Sequence, residues 1–323
     1  MTFKEIKELK DRIIAGGNIS RDEAIRLSQT QKIDTLYYSA NQLRAKFCGF
    51  TFEMCSNFNV VLDRCEEDCH WCPLSKASTI DYYVFEKTKI ESLPEKINDL
   101  SKKGIKRIEL STTHQKLSDA QLDTFIGYYK EIAKKTNIKL CASLGSLSYN
   151  QLKRLKEETK ISRYHCNLET SENLYSKLCT TGSYQKKIQT LKDAAELGFE
   201  VCSGCIIGMG ESMEDRIDQA LKFRELGIKS ISINILFAFN GTPFERHPLI
   251  NSQEILTTFA IFRFINPKAR IRFARGRSLI KIIEKDALKS GINASLVGEL
   301  LVAAQDPDID NDINIFESEG FKI

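Results

Sequence analysis

Cys65, Cys69 and Cys72 sit together in the segment RCEEDCHWCP, a C-x3-C-x2-C run. Three thiolates from one short loop imply a metal centre. Structural zinc takes four tetrahedral ligands, and this loop supplies three. His70 is a poor fourth, because its neighbour Cys69 would already hold the same ion. A [4Fe–4S] cluster accommodates three thiolates and keeps one iron open for chelation by a substrate or cofactor. Other groups able to do chemistry are Asn167 and Glu169 in CNLETS, the spacing G-x-I-x-G-x-x-E over residues 204–211, Asn234, and Ser111 with Thr112 and Thr113. Each has a plainer reading: a turn cap, a strand-end glycine turn, a satisfied buried amide, a polar loop.

The chain has 323 residues and ten cysteines. That is too sparse for a disulfide scaffold and dense for a protein whose thiols stay reduced. The start, MTFKEIKELK, is charged and lacks the apolar segment of a secretory signal. No stretch of about 18 apolar residues occurs to span a membrane. A cytoplasmic location with reduced thiols is expected, which favours metal ligation or catalysis. Lys+Arg 47 against Asp+Glu 43 leaves a charge of only +4, too weak a footprint for nucleic acid or an anionic membrane. Hydrophobic residues at 42% and only six prolines argue for one large core without a flexible linker.

The elements that must position these residues alternate. Residues 3–46 read as helices, with Ser20 and Glu23 forming a capping box. Short apolar runs follow at 57–63, 107–110, 138–142, 164–167, 200–203, 231–236, 270–273 and 294–297. Amphipathic segments separate most of them, as at 118–136, 184–197 and 213–226, with Gly198 and Gly227 at C-cap positions. Strand–helix alternation indicates parallel βαβ units. The count predicts an α/β fold: a (β/α)8 TIM-type barrel over 51–323 with an N-terminal helical segment, 1–50, packed on it. Chemistry then belongs at the strands' C-terminal ends. Cys65 follows the first strand, Cys141 ends the third, Cys166 the fourth, and Cys202 and Cys205 the fifth. Such gathering argues for cofactors.

The loop, its position and Trp71 before the last cysteine resemble the radical S-adenosylmethionine superfamily. In that superfamily the open iron binds the methionine moiety, and an injected electron releases a 5′-deoxyadenosyl radical. The resemblance narrows to biotin synthases from about Asn57 to the C-terminus. It is carried by DRCEEDCHWCPLS, LCASLGSLSYNQLKRL, CNLETSENLY with TTGSYQKKIQTL, VCSGCIIGMGES, NILFAFNGTP and RIRFARGR. The resemblance implies sulfur insertion into dethiobiotin, with sulfur drawn from a sacrificial auxiliary cluster in the barrel. Cys65, Cys69 and Cys72 match the ligands of the radical cluster, which carries the reaction together with the auxiliary thiolate Cys202. Ile206 matches an adenine-packing position, with Gly204 and Gly208 allowing close backbone approach. Asn167 and Glu169 match groups that bind the cofactor ribose or the substrate ureido ring, and Asn234 a position near both. Trp71 and Ser111 complete the implied cofactor set.

The pattern departs from the family in one place. Its usual [2Fe–2S] auxiliary cluster takes cysteines on strands 2, 3 and 5 and an arginine on strand 7. Here Cys141, Cys202 and Arg272 are present, while the strand 2 position holds Glu109. Cys166 and Cys205 are additional. One reading keeps an auxiliary cluster of [4Fe–4S] type, ligated from among Cys141, Cys166, Cys202 and Cys205 with Arg272. The other loses it, leaving sulfur-free chemistry of the methylornithine synthase or [FeFe]-hydrogenase maturase kind. The gain of cysteines favours the first. Cys48, Cys55 and Cys179 read as small apolar filler. The family's hydroxyl pair for the substrate carboxylate falls on LVAAQD, 301–306, which has no hydroxyl. Ser111, Thr112 or Thr113 could take that role or bind the methionine carboxylate. The acidic stretch 306–312 reads as a loop covering the barrel before a last short helix. An acidic reductant protein such as flavodoxin or ferredoxin is expected, Lys102–Lys103, Lys134–Lys135 and Lys186–Lys187 being solvated faces that could receive it. A homodimer is left open.

Overall fold

Eight parallel strands in sequential order close on themselves. The structure is a computed structural model and describes residues 1–61, 63–81, 89–298 and 308–323. Helices α1 (Phe3–Ile14), α2 (Arg21–Ser28) and α3 (Ile33–Cys48) precede β1 (Glu53–Val61). Then follow α4 (Leu93–Lys102), β2 (Arg107–Thr112), α5 (Asp119–Lys135), β3 (Lys139–Ser143), α6 (Tyr149–Glu158) and β4 (Ile161–His165). Next come α7 (Glu172–Leu178), α8 (Tyr184–Glu196), β5 (Glu200–Ile207), α9 (Met213–Glu225) and β6 (Ser230–Ile235). The chain ends with α10 (Ser252–Ile265), β7 (Arg270–Phe273), α11 (Glu284–Lys289), β8 (Ala294–Leu296) and α12 (Ile309–Ser318).

Local sequence accounts for many helix starts. Thr2, Ser20, Ser118, Ser148 and Ser212 each accept from the backbone N–H three residues on, and a side chain there returns the bond. The α10 sequence, ILTTFAIFRFI, is buried all round from Ile255 to Ile265. A barrel helix normally keeps a solvated face. Here α2 and α3 pack over α10, so the outer face is covered as well. Arg263, fully buried among these apolar neighbours, donates to the Gly291 and Ala269 carbonyls and to Asn293 Oδ1 at 2.7–2.8 Å. A guanidinium without such acceptors would cost several kcal/mol there (about 3–5).

The lumen is unlike the usual filling of branched aliphatic layers. Register places Cys55 beside Arg107 and, through β2, level with Lys139; the inward residue two further along β3 is Cys141. The same step from Cys141 through Arg163 and Glu200 gives Cys202. From Cys202 through Ser230 and Arg270 it gives Arg272, and from Arg272 through Ala294 and Glu53 it returns to Cys55. Four steps of two residues close the circuit, the stagger of about eight expected of such a barrel. One layer on the odd strands is therefore Cys55, Cys141, Cys202 and Arg272. Below it lie Arg107 and Arg163, then Glu53 and Glu200; above it lie Glu109 and His165.

The polar floor is ion-paired. Glu53 meets Arg163 at 3.0 Å, Arg272 at 2.9 Å and Arg270 at 2.9 Å. Glu200 meets Arg163 at 2.6 Å and Arg107 at 3.0 Å. Burial raises the cost of ionising Glu53, but Arg272, Arg163 and Arg270 outweigh it and hold its carboxyl at about 2. Two sequence expectations change. The fifth strand continues past 203 to Ile207, and within 306–312 the residues from Ile309 are the first turn of α12, capped by the Asp308 side chain. Residues 299–307, which include 301–306, lie outside the described residues.

Candidate active site

At the C-terminal mouth a cavity of about 290 Å³ is lined by Cys65, Cys69, Cys72, Trp71, Asn167, Glu169, Ile206 and Asn234, and deeper by Cys55, Glu109 and Arg272. The cysteine loop is held at both ends. Cys65 N–H donates to the Leu74 carbonyl at 2.9 Å, and Glu67 N–H donates to Cys65 Sγ at 3.5 Å. Asp68 accepts from the backbone N–H and hydroxyl groups of both Thr180 and Thr181, tying the loop to the segment after α7. Cys69 Sγ lies 3.3 Å from Cys179 Sγ. Burial pushes the Cys72 thiol up to about 11. The donors suit iron: three thiols on one loop, facing one cavity, with a backbone N–H already on sulfur. Among the described residues no three His, Cys, Asp or Glu side chains close on a point as one bound ion would require. A cluster does not ask it, because each iron takes its own thiolate.

The opposite wall is built by β4, β5 and β6. Gly204 is the residue that lets them approach: a Cβ there would lie 2.4 Å from the Ser232 carbonyl oxygen and 2.7 Å from Asn167 Oδ1. Asn167 Oδ1 is buried and has no hydrogen-bond partner, so a ligand donor such as a hydroxyl would satisfy it. Glu169 has φ 71°, the left-handed region costly for a residue with a side chain. It is clamped there by β5: its N–H donates to the Gly204 carbonyl at 3.1 Å, and Ile206 N–H donates to its carbonyl at 2.6 Å. Burial raises its carboxyl, partly offset by Lys187, His165 and Arg275. Gly208 has φ 93°, and Glu211 accepts from the Gly208 and Met209 N–H groups at 2.7 Å and from Arg216 at 2.6 Å. The glutamate of the glycine pattern thus holds the turn. Asn234 donates to the Cys205 carbonyl at 3.0 Å and accepts from Arg275 N–H at 3.1 Å. Ser111 Oγ is shared between Asn57 Oδ1 and Asn59 Oδ1, at 3.0 and 3.1 Å. Thr113 is occupied in pinning Asp63.

Two sequence-predicted thiols join deep in the lumen and two do not. Cys202 Sγ lies 3.2 Å from His165 Nδ1 and accepts from Arg272 at 3.6 Å; Cys141 Sγ accepts from Arg107 at 3.6 Å. Burial opposes the Cys202 thiolate, yet His165, Arg272 and Arg163 outweigh it and bring the thiol down to about 6. Cys166 and Cys205 are not with them. Because β5 runs unbroken through Gly204 to Ile207, Cys205 takes the face opposite Cys202, where its charged neighbours are Glu211, Arg216 and Glu169. Cys166 follows Tyr164 onto the outer face of β4, beside Lys187. Both pack in the apolar core between barrel and helices.

The chain is similar to curated proteins over its whole length. It is 40% identical over 318 residues to the biotin synthase of Clostridium botulinum (strain Alaska E43 / Type E3), covering 98% of this chain and 99% of that protein. To the biotin synthase of Clostridium tetani (strain Massachusetts / E88) it is 40% identical over 321 residues, 98% of each chain. The chain belongs to the biotin synthase family. Residues 59–223 match the Radical SAM superfamily, and 232–322 match the Biotin and Thiamin Synthesis associated domain. Among solved structures, methylornithine synthase superposes with TM-score 0.82 at 18% identity, covering 97% of this chain and 96% of that one. The FeFe-hydrogenase maturase HydG from Carboxydothermus hydrogenoformans gives 0.81 at 16%, covering 98% and 79%. At such identities the likeness is one of fold. Within the family frame, Glu109 replaces the expected strand 2 thiol and is engaged elsewhere: Asn57 Nδ2 donates to it at 2.6 Å, and His165 Nδ1 lies 3.5 Å away.

Sequence reasoning missed Cys55 and Asn57 as cavity residues. It started the first strand at 57, whereas β1 starts at Glu53. The signal was there in EMCSNFNV, whose odd positions are Glu, Cys, Asn and Asn while Met54, Phe58 and Val60 go outward.

Proposed function

We propose that this chain converts dethiobiotin to biotin by radical S-adenosylmethionine-dependent sulfur insertion. The supporting observation is one cavity with a three-thiol loop at its mouth and, at its deep end, Cys55 and Arg272 of the lumenal layer that also holds Cys141 and Cys202. Bound there, a [4Fe–4S] cluster at Cys65, Cys69 and Cys72 would supply reductive cleavage of the sulfonium, and an auxiliary cluster would supply sulfur. The chain's residues do the positioning. Asn167 Oδ1 would take a ribose hydroxyl, Ile206 would pack on the adenine with Trp71 lining the same cavity, and Gly204 and Gly208 would let the backbone come close. Glu169, held by its strained backbone, takes a polar group of cofactor or ureido ring. Asn234, fixed by its own hydrogen bonds, offers a polar edge to the methionine carboxylate or the substrate, and Ser111, whose one hydroxyl hydrogen is engaged by Asn57 and Asn59, orients the Asn57 amide that lines the same cavity. Cys141, Cys202 and Arg272 would hold the auxiliary cluster, which in this reading is of [4Fe–4S] rather than [2Fe–2S] type.

The partners of this reading are dethiobiotin and a one-electron reductant such as flavodoxin or ferredoxin, in the cytoplasm. No described helix is long and apolar enough to cross a membrane. The test is anaerobic reconstitution followed by S-adenosylmethionine, reductant and dethiobiotin. Biotin, or a thiolated intermediate, is expected together with 5′-deoxyadenosine above the substrate-free level. Its absence with dethiobiotin present overturns the reading.

A further inference from the structure

The lumenal layer contains one thiol that the family pattern does not use. Cys55 stands on β1 in the register circuit that joins Cys141 on β3, Cys202 on β5 and Arg272 on β7. We propose that Cys55 is a thiolate ligand of the auxiliary cluster, completing with Cys141, Cys202 and Arg272 one ligand layer on the four odd strands. The assignment rests on the sulfur-insertion reading above, which requires an auxiliary cluster.

Four observations carry it. First, all four residues occupy one level of the barrel, so their side chains converge on the axis from four directions about a quarter turn apart. Second, Cys55 lines the cavity, as does Arg272, whereas packing filler would lie between strand and helix as Cys166 and Cys205 do. Third, Arg272 is poised toward a missing partner. Its terminal nitrogens are held by Glu53 at 2.9 Å and Ser230 at 3.1 Å, while its Nε is buried without any partner in a residue 3% exposed. A buried donor of this kind calls for an acceptor in the lumen. Fourth, the strand 2 position cannot supply the lost thiolate. Glu109 is an oxygen donor, poorly matched to an iron–sulfur cluster, and Asn57 already bonds it at 2.6 Å one level nearer the mouth.

The charge arrangement agrees. Three thiolates in a low-dielectric lumen need nearby cations. Arg107 and Arg163 stand directly beneath the thiol layer, beside Cys55 and Cys141 in register, and Arg107 already donates to Cys141 Sγ. In effect the third cysteine has moved from β2 to β1. The lumen remains a three-thiolate site, entered from a different strand.

The test isolates the auxiliary cluster by removing the other one. A Cys65→Ala/Cys69→Ala/Cys72→Ala background is reconstituted anaerobically, and its iron, acid-labile sulfide and electronic absorption are read. Cluster iron and sulfide are expected to persist there. Adding Cys55→Ala should lower both at least about fivefold, whereas adding Glu109→Gln or Cys166→Ala should leave them within error. Cys55→Ser, closer in shape, is made in parallel, and circular dichroism verifies that each variant is folded. Full iron in folded Cys55→Ala and Cys55→Ser overturns the assignment alone. Loss in Glu109→Gln with retention in Cys55→Ala overturns it in favour of β2. No iron in the background itself overturns the auxiliary cluster, and with it the sulfur-insertion reading.

Discussion

The two thiol sets differ in how they are assembled. At the mouth, Cys65, Cys69 and Cys72 come from one loop, and their spacing alone brings them together. In the lumen, Cys55, Cys141, Cys202 and Arg272 come from four strands spread over two-thirds of the chain, and only barrel closure makes them neighbours. The first set is anchored by hydrogen bonds donated to the Asp68 carboxylate and to the Leu74 carbonyl; the second is anchored by the backbone ladder and an ionic floor. A loop can tolerate sequence change around fixed cysteines. A lumenal ligand can change strand, because the inward residues of neighbouring strands lie within one level of each other, provided the inward alternation is kept.

The largest expected effect tests the mouth. Cys65→Ala should abolish formation of 5′-deoxyadenosine, at least about a thousandfold or about 4 kcal/mol of barrier, while leaving lumenal iron in place. If iron is lost from both sites, the two regions are not independent. Cys202→Ala should do the converse: biotin formation falls by at least about a hundredfold while dethiobiotin-dependent 5′-deoxyadenosine persists, read by chromatography of both products. Between these lies the wall that both regions share. Gly204→Val puts atoms against the Ser232 carbonyl and Asn167 Oδ1, so S-adenosylmethionine should bind about tenfold more weakly at a stability cost of about 1–3 kcal/mol, measured by calorimetry and thermal melting.

Smaller effects sharpen the contrast. Cys166→Ala and Cys205→Ala, on the outer faces of β4 and β5, should each destabilise by about 1–2 kcal/mol through lost packing without altering auxiliary iron. Iron loss in either would place it in the lumen after all. Outside both regions, Glu23 is bonded to Arg12 at 2.5 Å, and despite some burial this pair and the Ser20 N–H hold its carboxyl at about 2, below its ordinary value of 4.5. A lowered acid pKa adds stability above about pH 4.5 that is lost as pH falls toward 2. Glu23→Gln should therefore cost less than about 1 kcal/mol near neutrality, and the difference should vanish by about pH 2 in acid-unfolding curves.

How much was legible follows from range. Capping at Ser20, the helix over 119–135 and the spacing of the eight strands are local, set by side chains within a few residues of one another. The glycine pattern was readable, but its division of labour was not. Gly204 and Ile206 face the cavity while Glu211 ties down a turn, and that depends on how β5 meets β6. Strand ends were the weak point. Placing the end of β5 before Gly204 put Cys205 with Cys202, and starting β1 at 57 hid Cys55. One misjudged boundary misassigns faces, because inward and outward alternate residue by residue.

By itself the sequence determined the three-cysteine loop, the barrel that carries it and the membership of its family, since these rest on short spacings and on an ordered series of matching segments. Only the tertiary structure decided which cysteines share the lumen. Closing eight staggered strands sets a common level for residues far apart in the chain, and the pleat sorts each thiol to one face of its strand. That sorting removed Cys166 and Cys205 from the lumen and brought Cys55 into it.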